Sequence, residues 1–163
     1  MSDFAPTEAR LDVTRRKYPA FPRAPAVLVR LIKHIYKEIQ DQANAVMRPH
    51  GLNHAEYNIL MMLYGAPDNT LTPSELAGAA GEKSANVTRL TTELCEMGYI
   101  ARAGSEGDRR KVALSLTPEG LELIDHFLPD IVTLLHRQTR HLSAAEQAQL
   151  ETLLKKMLTG FGE

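Results

Sequence analysis

Four consecutive residues, Asp108-Arg109-Arg110-Lys111, put three cations and one carboxylate just after Gly104 and Gly107. In open solvent such a cluster is an ordinary charged turn. At the end of a hairpin it becomes a probe for nucleic acid, because a narrow minor groove concentrates negative potential and favours arginine. A second set lies upstream. At about 100° per residue, Ala85, Thr88, Arg89, Thr92 and Glu96 fall opposite an arc made of Val87, Leu90, Leu94 and Met97. The polar arc is small in its N-terminal half and carries one arginine, which suits close approach to base edges. Asn86 falls at the flank, where it can cap or pack. The plain alternative for this stretch is an amphipathic surface helix with a solvated outer face. Thr72, Ser74 and Ser84, at helix starts nearby, complete the set expected to face DNA.

Other reactive residue types do not converge. His50 and His54 are four apart, but Gly51 and Asn53 interrupt any helix between them, and no His-Glu-x-x-His pattern is present. No metal or cofactor is expected. Cys95 stands alone, and a free cysteine most often acts as a small buried hydrophobe. Tyr57, Met61 and Tyr64 could line a ligand pocket or equally pack in a core. There is no nucleophile elbow, no phosphate-cradling glycine loop and no ligand cluster, so catalysis is not expected.

The chain that must position these residues has 163 residues, 44% apolar and 24% charged, the size and balance of one soluble globular domain. No apolar run approaches the roughly 20 residues needed to span a bilayer. The N-terminus lacks the basic and apolar regions of a signal peptide, and one cysteine forbids an internal disulfide framework; both suit the cytoplasm. The net charge of −1 gives no general attraction for nucleic acid, so any cationic footprint must be local.

Helix starts are legible. Asn53, Thr72 and Ser143 each stand three residues before a glutamate, the spacing of a capping box, and Thr117-Pro118 places proline in a first turn, where its missing amide costs nothing. Gly65 and Gly98 are expected as left-handed residues just past helix ends. The apolar period predicts helices over about 25–47, 53–64, 72–80 and 84–97. The helix over 53–64 is apolar nearly all round and is expected at the centre. Leu121, Ile124, Leu128, Ile131 and Leu135 mark a further helix, kinked at Pro129, and Leu150, Leu153, Leu154, Met157 and Phe161 mark the last. Residues 99–102 and 111–116 alternate instead, predicting two strands joined by a long polar tip. Residues 1–20 are expected to be a loosely held arm, because Pro6, Pro19 and Pro22 interrupt helix formation. A short helix, a tight turn near Gly81 and a second helix are the layout of a helix-turn-helix.

The ordered run Leu71-Thr72-Pro73-Ser74-Glu75-Leu76, Asn86-Val87-Thr88-Arg89-Leu90, Gly98-Tyr99-Ile100, Asp108-Arg109-Arg110 and Leu116-Thr117-Pro118-Glu119-Gly120 resembles the MarR family of transcriptional regulators. The similarity covers residues 21–160. Phe21-Pro22, Arg30-Leu31, His34 and Asn86-Val87-Thr88-Arg89 bring it nearest to the multidrug-efflux repressors of that family.

The resemblance implies a mainly α fold with a small β-hairpin wing: a winged helix-turn-helix over 51–117 and an intertwined helical dimerisation region over 21–50 and 118–163. It implies a triangular homodimer on a double-stranded, pseudo-palindromic operator, with Arg110 in the minor groove and Asp108 bracing the wing. It also implies a small phenolic or hydrophobic effector that releases DNA, and Arg30, His34, Tyr57, Met61 and Tyr64 are the candidate contacts. Control of efflux or aromatic-compound genes follows as an expectation. The rival is an architectural or ligand-independent DNA-binding protein. Redox sensing at Cys95 fits poorly, since the reactive cysteine of peroxide-sensing relatives lies near the first long helix.

Overall fold

The computed structural model describes residues 4–80, 83–105 and 108–162, with side chains throughout except at 104–112. The chain divides into two compact units, Met1–Gln42 and Ala43–Glu163.

The N-terminal unit holds α1 (Ala5–Lys17) and most of α2 (Arg23–Met47). The expected loose arm is corrected here, because residues 5–17 are helical. Pro6 sits in the first turn, where no amide hydrogen is needed, and Pro19 falls beyond the helix end. Arg23 holds α1 to the start of α2, meeting Asp12 through a hydrogen bond and Glu8 at 3.7 Å. That hydrogen bond keeps the Asp12 carboxyl below its ordinary range. Leu11 is buried, whereas Leu28, Val29, Ile32, Ile35 and Ile39 leave α2 with an uncovered apolar stripe.

In the second unit α3 (His54–Tyr64) is the hub, packing against α4 (Pro73–Ala80), α5 (Ser84–Glu96), α6 (Pro118–Thr139), β1 (Thr70–Leu71) and β3 (Asp108–Leu116). Its start is the predicted capping box. Asn53 accepts from the amides of Ala55 and Glu56, and the buried Glu56 carboxylate accepts from the Asn53 amide at 2.7 Å. Sequence reasoning missed a third partner: Asn44 of α2 accepts from the His54 amide at 2.8 Å. Ile59, Leu60 and Leu63 join Ala43, Met47, Leu76, Val87, Leu90, Leu94, Leu114, Ile124 and Phe127 in one core. Gly98 is left-handed at φ 81°, as expected, but Gly65 keeps helical dihedrals and ends α3 as the cap itself.

Pairing in the sheet is antiparallel, in the order β1-β3-β2, with β2 at Ile100–Ser105. β1 was not anticipated; two residues are too few to show a period. The strands also run further than predicted. β3 begins at Asp108 and β2 ends at Ser105, with a register shift between Gly104 and Ser105, so the cationic run lies within a strand instead of in a long tip.

α6 continues through Pro129, and its buried residues are Gly120, Ile124, Phe127, Ile131 and Leu134. The predicted stripe shared only Ile124 and Ile131 with that set. The helix is apolar on two adjoining faces, and Leu135, assigned inward, is 54% exposed. On α7 (Ala144–Thr159) no residue is buried; Leu153, Leu154 and Leu158 are all exposed, as is Phe161 just beyond the helix end. Among the described residues no helix is long and apolar enough to cross a membrane.

Four rings join α3 to α6: His50 meets Phe127 edge-on at 6.0 Å, Tyr57 meets Phe127 at 5.7 Å, and His54 stacks on Tyr57 at 6.1 Å. Burial holds the His54 imidazole below its usual 6.5. The unfolded chain therefore takes up the proton more readily, and stability must fall as pH drops below about 6.5 toward the lower folded value. His54→Gln should flatten that part of the curve, read as melting temperature between about pH 7.5 and 5.5. An equal slope in both proteins would refute the assignment.

Candidate nucleic-acid interface

Thr72 caps α4 in the predicted reciprocal way. Its amide donates to Glu75 at 2.7 Å, and its hydroxyl accepts from the Glu75 amide at 3.3 Å. The Thr72 amide and hydroxyl both donate to the Glu75 carboxylate, the hydroxyl at 2.7 Å, and these two bonds keep it below its ordinary range. Ser74 is exposed beside it, 3.1 Å from the Thr72 hydroxyl. α4 and α5 pack against each other as the two helices of the motif. The turn near Gly81 lies outside the described residues.

α5 turns the expected faces in and out. Val87, Leu90 and Leu94 are buried, while Ser84, Ala85, Thr88, Arg89, Thr92 and Glu96 are exposed and Asn86 is half-buried. Met97 departs from the reading at 43% exposed. It lies about 80° from Val87 around the axis and is the helix's last, capping residue. Thr91, about 40° from Val87, is buried in its place. Its hydroxyl donates to the Thr88 carbonyl at 3.1 Å and accepts from the Arg102 guanidinium at 3.3 Å, tying β2 to α5. Sequence reasoning overlooked both partners. The helical spacing of Thr91 was the signal, and its polar type hid it.

The outward groups are already ordered. Arg89 meets both Glu93 oxygens at 2.7 Å and Asn86 Oδ1 at 3.1 Å, so the guanidinium lies along the helix. Thr88 and Thr92 donate to the carbonyls of Ser84 and Thr88, at 2.9 and 2.8 Å. A hydroxyl whose proton is spent on its own helix can still accept a hydrogen bond or offer its methyl group. These two hydroxyls therefore match an amine donor or a thymine methyl better than a base acceptor.

β3 carries the backbone of Asp108, Arg109, Arg110 and Lys111 beside β2. Their side chains lie outside the described residues. The base of this hairpin is fixed: Thr117 donates to the Gly98 carbonyl at 2.7 Å and accepts from the Gly120 amide at 3.0 Å.

The five effector candidates divide between the two units. Arg30 and His34 line a cavity inside the N-terminal unit. Tyr57 and Met61 are half-buried against the core of the second unit, and Tyr64 is 39% exposed. Cys95 is partly buried and packs against that core. Among the described residues no three His, Cys, Asp or Glu side chains cluster as a metal site.

Residues 50–111 match the profile of the MarR family. Over 158 residues the chain is 32% identical to the transcriptional repressor MprA of Escherichia coli, covering 97% of this chain and 90% of that protein. A mutant MarR from E. coli, solved in complex with operator DNA, superposes with a TM-score of 0.75 at 26% identity, over 88% of this chain and 96% of that one. AbsC, a MarR family regulator from Streptomyces coelicolor, shares the fold with a TM-score of 0.77 at 23% identity, over 83% and 93%.

Proposed function

Because this chain belongs to the MarR family of transcriptional regulators, we propose that it is a homodimeric repressor that binds a pseudo-palindromic DNA operator and leaves it when a small phenolic or hydrophobic effector binds. The observation that carries the DNA-binding part is α5. Its polar N-terminal half stands exposed, its apolar half is locked into the core, and a hairpin follows within a few residues. A recognition helix needs that division, since one face must anchor while the other enters the major groove. The expected roles are Ala85, Thr88, Arg89 and Thr92 on base edges, Thr72, Ser74, Ser84 and Asn86 on or near the backbone, and Asp108 to Lys111 in the wing. The repressor role rests on the likeness to MprA, whose name describes a transcriptional repressor. Efflux or aromatic-compound genes are the targets we favour.

Two copies are required for a palindrome. The apolar stripes of α2 and α7, uncovered in a single chain, supply the surface for pairing. Leu154→Glu, at an exposed α7 position, should shift the protein toward monomer or insoluble material and abolish operator binding, read by sedimentation and fluorescence anisotropy. A soluble dimer of unchanged affinity would remove α7 from the interface.

Selection of bound fragments from the source genome, followed by titration of phenolic compounds against the recovered operator, tests the whole reading. A shared palindrome and loss of binding on titration are expected. Binding without sequence preference, untouched by any compound, would favour the ligand-independent rival. The effector must bind the DNA-free form more tightly, because equal affinity for both forms shifts nothing.

A further inference from the structure

An open cavity of about 440 Å³ lies inside the N-terminal unit. Phe4 and Thr7 line it from the start of α1, and Arg30, Lys33, His34 and Tyr36 line it from α2. Its size falls within the range of small-molecule sites. The lining also includes Lys37 and contains no carboxylate. Lys37 is paired with Asp41, but no ion pair engages Arg30 or Lys33 among the described residues. Arg30, Lys33 and Lys37 follow one another at helical spacings of three and four, where like charges repel and weaken the helix. A bound anion would relieve that repulsion.

The walls are aromatic. Phe4 meets the His34 ring edge-on at 5.8 Å, and the Tyr36 hydroxyl accepts from Gln40 at 2.7 Å, which fixes its ring. Arg23 holds α1 in place through Glu8 and Asp12, so the wall carrying Phe4 stands without a ligand.

We propose that α1 and α2 form a binding site for a small aromatic acid, with Arg30 and Lys33 taking its carboxylate and Phe4 and Tyr36 flanking its ring. The guanidinium offers a planar fork that matches a carboxylate, and Lys33 adds a second charge. This assigns the effector of the proposed function to residues 4–40, and it rests on that reading for its regulatory meaning.

The test is calorimetric titration of the full-length protein with salicylate, benzoate and 1-naphthoate, with salicyl alcohol as the uncharged counterpart. At least one acid should bind, and salicyl alcohol far more weakly. The double variant Arg30→Gln/Lys33→Gln should lose about tenfold or more in acid affinity, the scale of a charged hydrogen bond. Both residues are exposed, so the fold should survive. Phe4→Ala should lose affinity for acid and alcohol alike. Uptake of none of the acids by the wild type, or equal affinity in the double variant, would overturn the site. Operator release that persists in the double variant sinks this site and leaves the effector reading standing. An acid that binds here yet leaves operator affinity unchanged sinks the effector reading and leaves the site standing.

Discussion

Gly120→Ala should destabilise the protein by about 3 kcal/mol or more, at or above the top of the usual range for overpacking. A Cβ at this position would stand 2.1 Å from the Tyr99 carbonyl oxygen and 3.0 Å from its carbon. Backbone, unlike the tip of a flexible side chain, cannot swing away. The same carbonyl accepts from the Thr117 amide at 3.1 Å, so retreat would also break the bond that brings the start of α6 to the start of β2. Urea denaturation measures the loss. Thr117→Val removes the hydroxyl that caps α6 and holds Gly98, and should cost about 1–2 kcal/mol on its own. If Gly120→Ala unfolds at the wild-type midpoint, the close approach does not exist in solution.

Operator binding should respond differently to the two halves of the reading head. Arg89→Ala and Thr88→Ala should each cost about 1–3 kcal/mol per site and relax preference at particular base pairs. In the proposed dimer the residue occurs twice, so the loss doubles where both half-sites are engaged. The Glu93 and Asn86 contacts hold Arg89 along the helix before DNA arrives, which lowers the entropy lost when it docks. Arg110→Ala should weaken binding to many sequences and lower the salt slope by about one for each phosphate charge no longer neutralised. Asp108→Ala separates geometry from charge. Removing an acid from a cationic wing strengthens binding if only charge matters, and weakens it if the carboxylate holds the arginines in place. Anisotropy titrations at fixed salt decide between them, and a gain in affinity would end the bracing assignment.

Local chemistry was enough to set the helix starts. Asn53, Thr72, Ser143 and Thr117 act through atoms three residues away, so their caps need no distant partner, and all four formed as the spacing requires. The two-faced α5 was legible for the same reason, since its period is internal to the helix. The outward residues there could be named because exposure on that helix follows from which residues must be buried.

Elsewhere tertiary packing decided. α6 carries enough apolar residues for two faces, and packing against α3 and β3 decided that Phe127 and Leu134 enter the core and Leu135 does not. β1 exists because β3 offers Thr70 and Leu71 a pairing edge. β3 takes in the cationic run because Asp108 pairs with Ser105 of β2 across a register shift, a closure made between the two strands. Proline misled in α1, where a first-turn position tolerates it. Thr91 and Arg102 lie eleven residues apart in sequence, on a helix and a strand. Arg30 and Phe4 became neighbours on one cavity through the fold of α1 onto α2. Sequence periodicity records what each element buries, whereas a site shared by two elements appears only when both are placed.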